Sequence, residues 1–410
     1  MRILLTILIV FSNYVSASDI DFKLQKVIEI YRLQGFDCKA VQESDPSLSS
    51  LGEMLFESTL LSGGNDTSCS TCHLKELDRV DGLSVSIGVG GSGEGIERII
   101  EGNGIIVPRN SFNFLGRGHK DYSTYFWDGN VQNEKNRLVS IIGDDKSKGF
   151  HSPLSVAAVL PLLARDEFLG VLSESENNGM ESINDMYYEM RYKAASKVLQ
   201  QKILEKNGKG WDELRAKFIE SKIDLNKFEL SSIGNAIASF LIQKESCVKN
   251  KWSKYIQGEH DALTQVEKEG AYIFYGKGRC ASCHSGDLLS DFKFHSIGVP
   301  QGDVGVSISG QDLGRAEISL KEEDRFKFKT PSLLKVSKTK PYGHNGVFEK
   351  LDDVVLFHLN PIPFFKDKKW SKKDYFNYGR VLSSGAEMLS YIDVLTEEDF
   401  NHLLSFLETL

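Results

Sequence analysis

Two short strings carry the clearest chemistry in this sequence. They are Cys69-Ser70-Thr71-Cys72-His73 and Cys280-Ala281-Ser282-Cys283-His284. Each sets two thiols three positions apart, with a histidine directly after the second. Covalent haem attachment needs this order: the thiols add to the two vinyl groups, and the adjacent imidazole turns under the ring to ligate iron. A redox Cys-x-x-Cys site has no need of the histidine. A structural zinc site needs more ligands, and the remaining cysteines, Cys38 and Cys247, stand far from both strings. The pattern therefore predicts two covalently bound haem c groups.

The sixth position on each iron decides what such a protein does. An open position binds peroxide or oxygen, whereas a filled one moves electrons. Outside the strings the histidines are His119, His151, His260, His295, His344, His358 and His402. No methionine lies between Cys280 and Lys350, where a small cytochrome c often has its ligand.

The elements that must hold these strings read as helices. Asp45-Pro46, followed by Ser47 to Leu60, has a polar start and places Leu48, Leu51, Met54 and Leu55 on one face. Leu263-Thr264 opens a second such helix through Glu267, Ala271, Ile273 and Phe274. The approaches Leu51-Gly-Glu-Met-Leu-Phe56 and Glu269-Gly-Ala-Tyr-Ile-Phe274 correspond, which indicates a duplicated unit. Residues 82–107 are glycine-rich and loop-like. Further helical pattern runs from about Ser155 to Leu172 and over 181–245, and strand signal is weak. The expected fold is all-α, with two cytochrome c-like domains at 18–250 and 251–410, each with one covalently bound haem. The boundary falls near 246–260.

Residues 1–17 read as a secretory signal, with Arg2, the apolar run Ile3 to Phe11 and the small residues of Val15-Ser16-Ala17. No later stretch is long and apolar enough for a membrane helix. The expectation is an exported, periplasmic protein. The chain has 410 residues, of which 40% are hydrophobic, and a net charge of -8 without a long basic block, which argues against nucleic-acid binding. In an oxidising compartment Cys38 and Cys247 are able to pair, but sequence alone gives no distance between them.

Beyond the strings, several stretches resemble the bacterial dihaem cytochrome c peroxidase family, including its MauG-type enzymes. They are Leu51 to Phe56 with Leu61-Ser62-Gly63, Arg109-Asn110-Ser111, Tyr125-Phe126-Trp127-Asp128-Gly129, His284-Ser285-Gly286, Asp312-Leu313-Gly314-Arg315, Phe328-Lys-Thr330-Pro331-Ser-Leu333 and Lys340-Pro341-Tyr342-Gly-His344-Asn345-Gly346. The resemblance covers roughly 45–172 and 232–360. It implies that Trp127 lies between the haems and couples them. It implies that Glu167 is the acid that moves a proton during peroxide cleavage, with Asp166 as competitor. Arg109 joins these two in the catalytic set. Asn110, Thr339 and the Pro341 carbonyl match an inter-domain calcium site built from hard oxygen donors.

Two departures from the family pattern matter. Many family members cap the first iron with a histidine in a Ser-Ile-Gly-His context. Here the segment is Ser86-Ile87-Gly88-Val89-Gly90, so haem 1 is expected to be open, unless the loop of His119 folds over it. The family's sixth ligand on haem 2 is Met, or Tyr in MauG-type enzymes. Here Leu351-Asp352-Asp353-Val354-Val355-Leu356-Phe357 leads to His358, which implies His284/His358 ligation and a lowered potential. His344 matches a family histidine near this haem.

The resulting expectation is a dihaem oxidoreductase that reduces hydrogen peroxide at haem 1, with electrons from a small cytochrome c or cupredoxin. The alternatives are a MauG-like enzyme acting on a protein substrate, and a dihaem cytochrome that only transfers electrons. The stretch 173–231 is long for the family, and either shapes a partner surface or fills out the fold.

Overall fold

The computed structural model describes residues 19–410 except 102–103, 136, 144–148, 171–186, 302–310 and 367–371. The signal-like segment 1–17 lies outside the described residues.

Two glycine contacts set the architecture. Helix α1 (Asp19–Tyr31) leads to α2 (Pro46–Glu57), which enters the first string as the short α3 (Cys69–Cys72). Then come α4 (Pro153–Val159), α5 (Tyr188–Glu205), α6 (Lys209–Glu220), α7 (Leu230–Glu245), α8 (Lys251–Ile256) and α9 (Gln265–Tyr275) before the second string. The chain closes with α10 (Ala316–Ser319), α11 (Leu351–Leu359), α12 (Ile362–Lys366), α13 (Lys372–Ser383) and α14 (Glu397–Leu407). In α2, a β-carbon on Gly52 would lie 1.9 Å from the Ala236 carbonyl of α7. In α9, one on Gly270 would lie 1.9 Å from the His402 carbonyl of α14. Only glycine lets the backbones come so close. The corresponding glycines of the two approaches thus make corresponding helix crossings.

The helix starts are chemically explicit. Asp45 accepts hydrogen bonds from Ser47 N and Leu48 N at the head of α2. Thr264 and Glu267 form a capping box at α9, and Thr396 and Asp399 form one at α14. Helix α7 is apolar around most of its circumference and lies in the core, with Ile233, Ala236, Ile237, Phe240 and Leu241 buried.

The chain is largely helical, as expected, but it also carries strands that the sequence pattern does not signal. They are β1 (Gly91–Ser92) with β2 (Ile99–Ile100), β3 (Thr124–Tyr125) with β4 (Val131–Glu134) and β5 (Arg137–Ser140), and β6 (Phe294–His295) with β7 (Phe328–Lys329), all antiparallel. At two to four residues they are too short for an alternating pattern to show. The expected helix from Ser155 to Leu172 is broken: α4 is followed by a 3₁₀ turn at Pro161–Leu163 and a single π turn at Arg165–Leu169.

Helix α1 precedes the first string yet packs on α9 of the second unit. Asp21 pairs with Lys268 and accepts the Tyr255 hydroxyl, both at 2.8 Å. Tyr31 donates to the Tyr275 carbonyl, and Asp287 accepts Gln34 N and Gly35 N. Cys38 and Cys247 form a disulfide at the end of this strap, with Cα atoms 5.0 Å apart. Within the long stretch 173–231, α5 and α6 bury Tyr192, Leu199, Trp211, Leu214 and Phe218. That part fills out the core; residues up to 186 lie outside the described set.

Candidate active site

Each string lines its own cavity. The first cavity, about 860 Å³, includes Cys69, Cys72 and His73 in its wall. The second, about 270 Å³, includes Cys280, Cys283 and His284. Asn110, Ser111, Phe112, Arg117, Phe126 and Trp127 belong to both walls, so the cavities are neighbours across a single layer of side chains.

Three cavity histidines each set Nδ1 against a backbone carbonyl. His73 Nδ1 lies 2.9 Å from the Arg79 carbonyl, and His284 Nδ1 lies 3.2 Å from the Leu289 carbonyl. His358 Nδ1 lies 2.6 Å from the Val354 carbonyl, one turn back in α11. An Nδ1–H donated to a carbonyl fixes the tautomer and leaves Nε2 with a lone pair for a metal. Burial holds all three imidazoles below the ordinary histidine range. For His284 the next cause is His358, which lines the same cavity. Two thiols, a tautomer-fixed imidazole and apolar walls fit a covalent haem in each cavity.

The two cavities differ in what else they offer. His73 is the histidine in the first wall, alongside the carboxylates Asp166 and Glu167. The second wall holds His284, His295, His344 and His358. Val89, the position of the family's capping histidine, is buried and absent from the first wall. Its backbone N–H donates to the Asp166 carbonyl instead. His119 lines neither cavity. It is buried against Phe36 at 5.2 Å between ring centres, and its backbone bridges Val41 beside the disulfide.

Glu167 stands on the π turn, a local geometry frequent at functional sites. Three backbone contacts pin that turn. Gly63 N donates to Phe168 O, Val89 N donates to Asp166 O, and Gly88 packs so closely that a β-carbon there would lie 1.8 Å from Asp166 O. Burial first, and the Asp166 charge second, raise the Glu167 carboxyl above the ordinary glutamate range; burial raises Asp166 as well.

Arg109 does not project a free guanidinium. Its Nε and Nη2 reach both oxygens of Asp312 at 2.8 and 2.9 Å, Nη1 reaches Asp128, and Nη2 also reaches Glu317 at 3.2 Å. It therefore clamps the segments around Asp128 and 312–317 together at the edge of the first cavity. Trp127 donates its Nε1–H to the Asn110 carbonyl at 3.0 Å, and its own carbonyl accepts Lys329 N at 2.7 Å.

Asn110, Thr339 and Pro341 all line the second cavity. The Asn110 side-chain NH₂ donates to the Leu83 and Ser84 carbonyls, and the Thr339 hydroxyl donates to the Val336 carbonyl. Their oxygen lone pairs suit calcium, but the set is neutral, and calcium takes six to eight oxygens.

Residues not picked out as site candidates include Arg117 in Gly116-Arg-Gly118, buried between the cavities, and Asp312, the partner of Arg109. Asp312 falls in one of the stretches that carry the family resemblance, which was the signal available for it.

A sequence model described as di-haem cytochrome c peroxidase matches residues 46–261. Among curated relatives, cytochrome-c peroxidase IdrP2 of Denitromonas iodatirespirans is 26% identical over 329 residues, covering 75% of this chain and 72% of that protein. Methylamine utilization protein MauG of Methylorubrum extorquens is 25% identical over 371 residues, covering 89% and 78%. Among solved structures, the diheme peroxidase BthA from Burkholderia thailandensis E264 superimposes with a TM-score of 0.61 at 19% identity, covering 92% of this chain and 89% of that one. At that identity the structural likeness concerns the fold alone.

Proposed function

Since this chain belongs to the di-haem cytochrome c peroxidase family and is an oxidoreductase, we propose that it reduces hydrogen peroxide in its first cavity with electrons that enter through the second. The balance is one peroxide, two protons and two electrons to two waters. A haem held by each string supplies the redox-active iron of its cavity. The observation that carries the reading is the asymmetry of the two walls: carboxylates and a single histidine in the first, His284 with His358 in the second.

In this reading Glu167 moves a proton between the two oxygens of peroxide, for which a raised carboxyl near the working pH is suited. Trp127, common to both walls, provides electronic contact between the cavities. Arg109 acts by position, keeping the 312–318 segment against the first cavity. His358, in the same wall as His284, would hold a second ligand position of a haem there, leaving that site to pass electrons rather than bind peroxide. The donor is a small cytochrome c or cupredoxin with a basic docking face, to suit a chain of net charge -8. The N-terminal pattern supports a periplasmic location, and among the described residues no helix is long and apolar enough to cross a membrane. A calcium ion on Asn110, Thr339 and Pro341 would need further oxygens, including water.

The test is stopped-flow oxidation of a reduced small cytochrome c by peroxide, with the wild-type protein and Glu167→Gln. Fast turnover that collapses in the variant supports the proposal. Equal rates in both would overturn the role of Glu167. Failure to oxidise any small donor, with peroxide nonetheless consumed, would redirect the reading to oxidation of a partner protein, as in a MauG-type enzyme.

A further inference from the structure

The layer between the cavities holds two cations that, among the described residues, form no ion pair with a side-chain carboxylate; for Lys329 the Asp291 charge acts only from a distance. Arg117 is 5% exposed and lines both cavities. Its Nε donates to the Asn113 carbonyl at 2.7 Å, and its guanidinium lies 4.0 Å from the Phe112 ring centre. Lys329 is also 5% exposed and lines the second cavity. Its ammonium donates to its neighbour's carbonyl, Thr330 O, at 3.2 Å, and sits near the rings of Tyr122 and Phe292. The two charges flank one ring, Tyr122, at 5.4 and 6.0 Å from its centre.

Among the described residues neither cation forms an ion pair. The acids in reach are committed elsewhere: Asp291 holds His295 at 2.8 Å, and Asp128, Asp312 and Glu317 surround Arg109. A buried charge without a counter-ion is strongly unfavourable, and two side by side repel as well. Burial and the neighbouring guanidinium accordingly push the Lys329 ammonium down to about 7. The missing counter-ions must then belong to what occupies the cavities. Aromatic rings and aliphatic side chains make up most of the remaining surround, so the anion is one that arrives with an apolar body.

We infer that Arg117 and Lys329 are the counter-ions of the haem propionates, with Lys329 serving the second haem and Arg117, common to both walls, serving both. This rests on haem occupancy of the two strings. It adds to that reading a pair of positioning residues between the cavities, which would hold the carboxylates of the two groups in the layer around Tyr122. It also makes the two potentials interdependent, because one guanidinium faces both sites.

The test uses the full, haem-loaded protein. Haem stoichiometry is first read from the pyridine haemochrome and the intact mass, and a redox titration then follows each haem. In Lys329→Met, loss of a positive charge beside the propionates disfavours the added electron, so the midpoint of the second haem shifts downward and that of the first moves less. Lys329→Arg restores it. Arg117→Leu shifts both midpoints downward. Lys329→Gln is the milder variant for the same reading, should Met impair haem loading. A merely structural lysine, replaced by an apolar side chain of similar length, would leave the potentials in place and raise the melting temperature. Two haems bound with unmoved potentials in Lys329→Met, Lys329→Gln and Arg117→Leu would overturn the inference and leave haem binding intact. A wild-type protein without two covalent haems would overturn both.

Discussion

Arg109→Met is the perturbation whose size follows most directly from the structure. The guanidinium makes a two-point contact with Asp312, at 2.8 and 2.9 Å, and a further contact with Asp128. The side chains of Asp312 and Asp128 are 9% and 4% exposed, so both carboxylates are dry. Unit charges about 4 Å apart interact by roughly 4 kcal/mol at an effective dielectric of ~20. Desolvation of the ions offsets much of that gain while the cluster is intact. The offset is not recovered when only the cation is removed, because the two carboxylates stay buried, so the expected loss is about 3–5 kcal/mol. Glu317, with its side chain 32% exposed, is screened and adds little.

The loss has a defined pH dependence. Burial works against ionised Asp312, but the hydrogen bonds and charge of Arg109 prevail and hold its carboxyl below the usual range. A lowered carboxyl contributes stability that is present above its unfolded value and disappears as pH falls through the folded one. The gap between wild type and Arg109→Met is therefore widest at neutral pH and narrows in acid. Urea unfolding of the haem-loaded proteins, near pH 7 and at about pH 3, measures it. A double-mutant cycle with Asp312→Asn isolates the pair, with an expected coupling of at least about 1 kcal/mol. A neutral-pH loss under about 1 kcal/mol, the range of an exposed pair, or a loss that grows in acid, would refute the reasoning.

Three further outcomes are expected. Glu167→Gln should lower peroxide turnover by about 10²–10⁴-fold while haem content stays at wild-type level, as measured by steady-state kinetics with a reduced cytochrome c. His358→Ala should remove the low-spin ferric signal of the second haem in electron paramagnetic resonance; an unchanged signal would assign the ligand elsewhere, with His344, buried in the same wall with its Nε2 lacking a hydrogen-bond partner, as the next candidate. Gly88→Ala places a methyl group 1.8 Å from the Asp166 carbonyl, so the π turn must shift. It should cost about 1–3 kcal/mol in thermal or urea unfolding and lower turnover as Glu167 moves.

How much of this was legible in the sequence depended on range. The two strings, their matching approaches and the caps at Asp45 and Thr264 are local, and each stands where local chemistry puts it. Gly52 and Gly270 were visible as corresponding positions, but their purpose, close crossings with α7 and α14, needs partners far along the chain. The strands were not legible, because pairs such as Phe294 with Lys329 are fixed by the fold around them rather than by an alternating pattern. The same holds for the packing of α1 on the second unit, which rests on Asp21, Tyr31 and Asp287 contacts that no periodicity announces. In the site, Glu167 and His358 came from family resemblance and stand in the two cavity walls. Arg109 was grouped with the catalytic residues, yet its donors are taken up by three carboxylates. The pairing state of the buried cations Arg117 and Lys329 was not legible, since a charge reveals its lack of a counter-ion only in three dimensions.

The central claim is an open first site beside a histidine-filled second one. Low-temperature electron paramagnetic resonance of the resting, fully ferric, haem-loaded protein tests it most directly. The account predicts one high-spin and one low-spin signal in equal amounts. Two low-spin signals would contradict it, by showing that the sixth position in the first cavity is filled in the resting protein.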